Sequence, residues 1–170
     1  MSVASRLTMT TPHGLLALRP ETDSAEDTAF LFDLFCAVRL AEMALMPLDD
    51  AGRRFLLQAQ FRSMTNTYRT NYPSARFEIA TLDDTPVGRL ITDVQPDCVH
   101  FVDIALLPAS QGGGLATTLM LAALEEPRRL GVPGRVNVLG QNVASLRLCQ
   151  RLGFSVNAQR PPFVELIWHA

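Results

Sequence analysis

Three consecutive glycines, Gly112-Gly113-Gly114, lie between an apolar strand-like run, Val99 to Leu107, and a helix-like run, Leu115 to Leu130. Glycine has no Cβ, so a chain can turn sharply there and aim several N–H groups at one spot. The first turn of the following helix adds unpaired donors and the positive end of its dipole, which together favour an anion, above all a phosphate. A glycine loop that merely turns a corner is the bland alternative.

All 15 basic side chains are arginine, and the chain has no lysine. That excludes a Walker-type phosphate loop, a Schiff-base mechanism and a lysine general base together. A dinucleotide fingerprint fails as well, because Gly112-x-Gly114-x-x-Thr117 lacks the last glycine and follows three strand-like runs. With 170 residues, net charge −2 and no basic block, the chain suits one globular domain that is not a general nucleic-acid binder. Cys36, Cys98 and Cys149 are widely spaced, and His13, His100 and His169 have no ligand spacing, so neither a disulfide framework nor a metal site is expected. No run reaches the length of a membrane span and no signal peptide opens the chain, which makes a cytoplasmic location the default. Residues 1–14 read as a flexible leader and 15–170 as the single domain.

Along that domain, Leu15 to Arg19 reads as a strand, and Asp23 to Asp27 caps a helix bearing Phe30, Leu34 and Val38. Asp49-Asp50 caps a second helix with Leu57, Phe61, Met64 and Tyr68 on one face, ended by Pro73. Strands follow at Phe77 to Thr81, Val87 to Val94 and Cys98 to Leu107, the first two joined by a turn at Asp83-Asp84. After the central helix come a strand at Arg135 to Leu139, a helix at Asn142 to Leu152, and strands at Phe154 to Ala158 and Phe163 to His169. This order predicts an α/β (α+β) domain: a mixed, mainly antiparallel sheet of about seven strands with about four helices packed on it.

Gln111, Gly114 and Ala116 meet the pattern Gln/Arg-x-x-Gly-x-Gly/Ala, and a second segment, Asn142 to Phe154, meets Asn-x-x-Ala/Ser-x-x-Leu-Tyr-x-x-x-Gly-Phe at Asn142, Ser145, Leu148, Gly153 and Phe154. With both segments at this separation, the chain resembles the GNAT superfamily of acyl-CoA-dependent N-acyltransferases. The likeness is strongest over Val87 to Phe154. It implies that Gln111, Gly112, Gly113, Gly114, Leu115, Ala116 and Thr117 hold the coenzyme A pyrophosphate. It also implies that backbone groups of Ile104 and Leu106 bond the pantetheine arm, with Asn142 and Ser145 beside it. A helix N-cap is the equal alternative for Asn142.

The resemblance further implies acetyl transfer from acetyl-CoA to a primary amine by direct attack in a ternary complex. Such a reaction needs a neutral amine, a polarised thioester carbonyl and a proton for the departing thiolate. The family's tyrosine acid is replaced by Cys149, which reads either as a substitute acid or as a small buried residue. Asp103 is the first candidate for the base, since alternation turns it away from Ile104 and Leu106; Glu78 and Glu42 are fallbacks. Arg39, Glu42, Tyr68, Tyr72 and Glu78 are expected to line the acceptor pocket. Arg39 and Glu42, three apart on one helix face, either fix a charged substrate or form an exposed ion pair. A non-catalytic acyl-CoA-binding or sensing protein is the rival reading, and a small nucleotide-binding protein a third. The acceptor, a small molecule or a peptide, is not legible, and exposed late strands leave a homodimer open.

Overall fold

The computed structural model describes residues 7–170. Its elements run β1 (Leu7–Thr11), β2 (Gly14–Pro20), α1 (Ala25–Ala44), α2 (Asp50–Asn71), β3 (Arg76–Leu82), β4 (Thr85–Val94), β5 (Val99–Leu106), α3 (Leu115–Leu130), β6 (Gly134–Leu139), α4 (Val143–Arg151), β7 (Ser155–Arg160) and β8 (Phe163–Trp168), with a 3-10 turn at Pro108–Ser110. The strands form one sheet in the order β1-β2-β3-β4-β5-β6-β8-β7, antiparallel except between β5 and β6. The sheet therefore has eight strands where about seven were expected. The extra one is β1, drawn from the expected leader, whose residues 1–6 lie outside the described residues. Alternate side chains of β1 face inward, and Leu7 packs on the core.

Local chemistry sets most boundaries. Ser24 caps α1 by accepting the Asp27 N–H, and Asp49 caps α2 by accepting that of Gly52. Asp83 and Asp84 both adopt positive φ, 48° and 64°, which closes the tight β3–β4 turn. Gly131, at φ 68°, ends α3 in the left-handed conformation.

One face of the sheet carries the main core. Leu115, Leu119, Met120 and Leu124 of α3 pack there on Leu90, Val99, Phe101 and Val136. Helices α1 and α2 cover the opposite face more loosely. Leu31, Leu34 and Phe35 of α1 are buried, and Phe61 of α2 meets Phe32 and Phe35 edge-on at 5.5 Å. No residue of α2 is fully buried, and Val38 is 41% exposed rather than part of a closed face. This looser layer leaves a cleft between the two helices and the sheet.

Candidate functional site

Two irregularities of β5 build the site. The strand pairs with β6 only through Val99, His100 and Phe101, and the two then diverge. Opposite β4, the register jumps from Phe101 on Thr92 to Asp103 on Ile91, so Val102 is a bulge. The bulge resets the side-chain alternation. Val99 and Phe101 face α3, and after the bulge Ile104 and Leu106 do so too, while Asp103 and Ala105 line the cleft beneath α1 and α2.

Beyond Phe101 the β6-facing edge of β5 is open. Leu107 donates its N–H to Val87 of β4 at 2.9 Å, so the backbone groups of Leu106, and by alternation those of Ile104, point into the gap. Leu106 O is already bonded there by the side-chain amide of Gln111 at 2.9 Å. Gln111 thus braces the loop with its side chain.

The gap leads to the glycine loop. Gly112 and Gly114 hold φ of 83° and 81°, and a Cβ on either would meet nothing within 4 Å, so this face is open. The first N–H of α3 bonded within the helix is that of Thr118, to Gly114 O at 2.9 Å. The N–H groups of Gly112, Gly113, Gly114, Leu115, Ala116 and Thr117 have no acceptor among the described residues. That is a donor-rich, side-chain-free cradle suited to a multiply charged phosphate. His13, in the turn between β1 and β2, closes one side of it by donating Nε2–H to Gly113 O at 2.7 Å. At the far end of the gap, Asn142 caps α4 by accepting the Ser145 N–H at 3.1 Å.

On the other side of β5 the cleft has an outer part of about 380 Å³, reached by Arg39, Glu42, Gln60 and Ser63. Its inner part, about 60 Å³, ends on Tyr68, Arg89, Asp103 and Ala105. Arg89 is 8% exposed and donates through Nε at 3.0 Å and Nη2 at 2.6 Å to one oxygen, Asp103 Oδ2. Asp103 is therefore half of an ion pair rather than a free carboxylate, and its Oδ1 has no protein partner among the described residues. Burial, and then the Asp103 charge, push the Tyr68 phenol up to about 12, so Tyr68 keeps its proton.

Several expected site residues lie elsewhere. Glu78 is 2% exposed and pairs with Leu90, which places it on the α3 face, away from the cleft. Tyr72 sits one helical turn beyond Tyr68 and meets the His100 ring edge-on at 5.4 Å, outside the cleft lining. Arg39 and Glu42 form no ion pair; the Arg39 guanidinium instead lies over the Phe35 ring at 3.9 Å. Cys149 is packed in the apolar core, and burial pushes its thiol up to about 11. A thiol so placed is a core side chain and does not line the cleft.

Arg89 escaped the sequence reading, which offers His13 and His100 only as residues without ligand spacing. Arg89 is a charge in the middle of an otherwise apolar strand, a signal that a buried partner is needed. His100 is 3% exposed, with Nε2 3.3 Å from Asn137 Nδ2 and no partner for Nδ1 among the described residues. Burial, and then the positive charge of Arg135, lower its pKa to about 4, so it is neutral at neutral pH. Among the described residues no group of three or more His, Cys, Asp or Glu is placed to hold a metal, and no helix is long and apolar enough to cross a membrane.

A family model for the acetyltransferase (GNAT) family matches residues 45–154. An L-methionine sulfoximine/L-methionine sulfone acetyltransferase from Salmonella typhimurium is 46% identical over 55 residues, a match spanning 32% of this chain and 32% of that protein. Among solved structures, the PaiA N-acetyltransferase of Thermoplasma acidophilum, in complex with coenzyme A, superposes with a TM-score of 0.68 at 16% identity, covering 91% of this chain and 99% of that one. A GNAT family acetyltransferase from Elizabethkingia anophelis with acetyl-CoA bound gives 0.61 at 12% identity, covering 91% and 98%. At these identities the two structures share the fold.

Proposed function

This chain belongs to the acetyltransferase (GNAT) family, and from that premise we propose that it moves an acetyl group from acetyl-CoA to a primary amine by direct attack in a ternary complex. The observation that carries the proposal is the open edge of β5 running into a cradle of unpaired N–H groups from Gly112 to Thr117. The coenzyme supplies the thioester and a charged pyrophosphate. Each N–H bond to a charged oxygen contributes about 1.5–3 kcal/mol. The backbone of Ile104 and the Leu106 N–H are the free strand-like partners for the amides of the pantetheine arm. That the Thermoplasma and Elizabethkingia structures hold coenzyme A and acetyl-CoA supports this donor.

The amine enters from the opposite side of β5, through the cleft between α1 and α2. Asp103 Oδ1, left free by Arg89, accepts a hydrogen bond from the nitrogen and aims its lone pair at the thioester carbonyl. The C–N bond forms, the C–S bond breaks, and the proton lost by nitrogen ends on the departing thiolate. With Cys149 in the core, the thiolate leaves without help from α4.

Saturation with acetyl-CoA at about 100 times Kd should stabilise the fold by about 2.7 kcal/mol, or about 5–10 °C in Tm for a chain of this size. Gly114→Val, which forces a β-branched residue to φ 81°, should abolish that shift. No shift with acetyl-CoA, alongside a shift with ATP or NAD, would sink the proposal. Burial of Cys149 also favours a second reading, a non-catalytic acyl-CoA-binding protein. The readings separate on thiol release: a transferase releases coenzyme A faster with amines than without, and a sensor does not.

A further inference from the structure

We propose that the acceptor is a zwitterion, an amine carrying a carboxylate on an apolar body, and that Arg39 is the residue that binds the carboxylate. This rests on the acetyl-transfer reading above. Arg39 borders both the outer and the inner cleft, so an acceptor reaching Asp103 passes it. Among the described residues six other arginines are paired with acids: Arg19 with Asp27, Arg53 with Asp50, Arg69 with Glu21, Arg76 with Glu126, Arg89 with Asp103, and Arg128 with Glu125. Arg39 has no acidic partner among the described residues, and residues 1–6 contain no acid that could serve. Its guanidinium is stacked on Phe35 at 3.9 Å, which holds the planar donor fork at the wall of the cleft. A carboxylate is the group that such a fork binds with two parallel hydrogen bonds.

The other end of the cleft has the complementary preference. Asp103 offers a free Oδ1 and a side chain 23% exposed, an acceptor for an amino group. The inner part, which Arg39 and Asp103 both line, also has apolar walls from Leu31, Leu34, Val38, Met64 and Ala105. A stacked guanidinium on the wall, a carboxylate oxygen at the floor and an apolar lining together describe a hydrophobic amino acid. A bare amine would leave Arg39 unmatched, and a polyamine would bring further positive charge against Arg39 and Arg89.

The test is steady-state thiol release from acetyl-CoA with matched acceptors: L-leucine, its amide and isoamylamine, then L-methionine and L-phenylalanine with their amides, and spermidine. The expected result is a kcat/KM for the free acids at least about tenfold above those for the amides, for isoamylamine and for spermidine. Arg39→Gln should remove that preference, lowering kcat/KM for the acids by about tenfold or more and for the amides by less than about threefold, and Arg39→Lys should fall between. The thermal shift by acetyl-CoA should be the same in all three proteins, which also shows that the variants fold. Amides or bare amines used as well as the acids would overturn the inference. So would equal losses for acid and amide in Arg39→Gln, or no turnover of any amino acid while acetyl-CoA binds. Failure of acetyl-CoA to bind the unaltered protein is a different result and removes the acetyl-transfer reading itself.

Discussion

His100→Gln should flatten the mild-acid sensitivity of this fold. His100 is 3% exposed, held between Tyr72, the C-cap of α2, and Asn137 of β6, with Arg135, Asp93 and Glu165 as its charged neighbours. Burial and Arg135 outweigh the two carboxylates and carry its pKa from 6.5 down to about 4. Between those values the unfolded chain binds a proton that the folded chain excludes, so stability rises with pH across the window. The contribution is complete above pH 6.5, shrinks as pH falls toward 4, and changes no further below that. At about 1.4 kcal/mol per pH unit, the loss from neutral pH down to pH 4 is about 3 kcal/mol. Urea unfolding at half-unit steps from pH 7.5 to 4 measures it directly. The variant should start about 1 kcal/mol less stable, for loss of the edge-on contact with Tyr72, and should lack most of the slope. An equal slope in both proteins would refute the assignment, because glutamine has no proton to bind there.

Cys149→Ala should cost about 1 kcal/mol in urea unfolding, the loss of one small buried group, and leave both the acetyl-CoA Kd and turnover within about twofold. A turnover loss of about tenfold or more at unchanged Kd would return the thiol to the mechanism. Asp27 accepts from Arg19 at 2.6 and 2.9 Å and from Thr22, and the Arg19 hydrogen bond is the main reason its pKa drops from 3.8 to about 2. The stabilisation is present above pH 3.8 and lost as pH falls to about 2; Asp27→Asn should therefore be about 2 kcal/mol less stable at pH 7, with the gap closing across that window. His13→Ala should weaken acetyl-CoA binding by about fivefold, the worth of one hydrogen bond to the loop, with little change in Tm; unaltered affinity by calorimetry would show that Gly113 needs no support from the β1–β2 turn.

The features legible in the sequence are those that a few neighbouring residues determine. The start of α3 at Leu115, its left-handed stop at Gly131, the Asn142 cap and the Asp83-Asp84 turn all follow from local backbone chemistry, and the structure has each of them. Strand β1 was missed because Leu7-Thr8-Met9-Thr10-Thr11 is short and half polar; only its pairing with β2 makes it a strand. The facing of site residues depended on partners far along the chain. Glu78 and Asp103 both look like strand carboxylates, yet the pairing of Glu78 with Leu90 sends it to the α3 face, whereas Asp103 follows the Val102 bulge into the cleft. The Arg89–Asp103 pair needs that same shifted register, which no local pattern encodes. Cys149 stands where the motif has its tyrosine, but which side of α4 turns inward is decided by the packing beneath it.

The bulge at Val102 makes β5 tolerant of substitution at that position and of its loss, but not of being drawn into the ladder. A different side chain at 102 alters one half-buried contact. Removing the residue would leave Phe101 on Thr92 and Asp103 on Ile91 in an unbroken ladder, with the Asp103 carboxylate still in the cleft and Ile104 still under α3. Drawing Val102 into regular pairing would instead put Asp103 on Leu90, turn its carboxylate into the apolar layer under α3 and leave Arg89 buried without its partner, a penalty of several kcal/mol. The two sides of the proposed reaction, donor at the strand edge and acceptor at its face, thus depend on residue 102 staying out of the ladder, and in sequences related to this one a gap at this position is compatible with the same site.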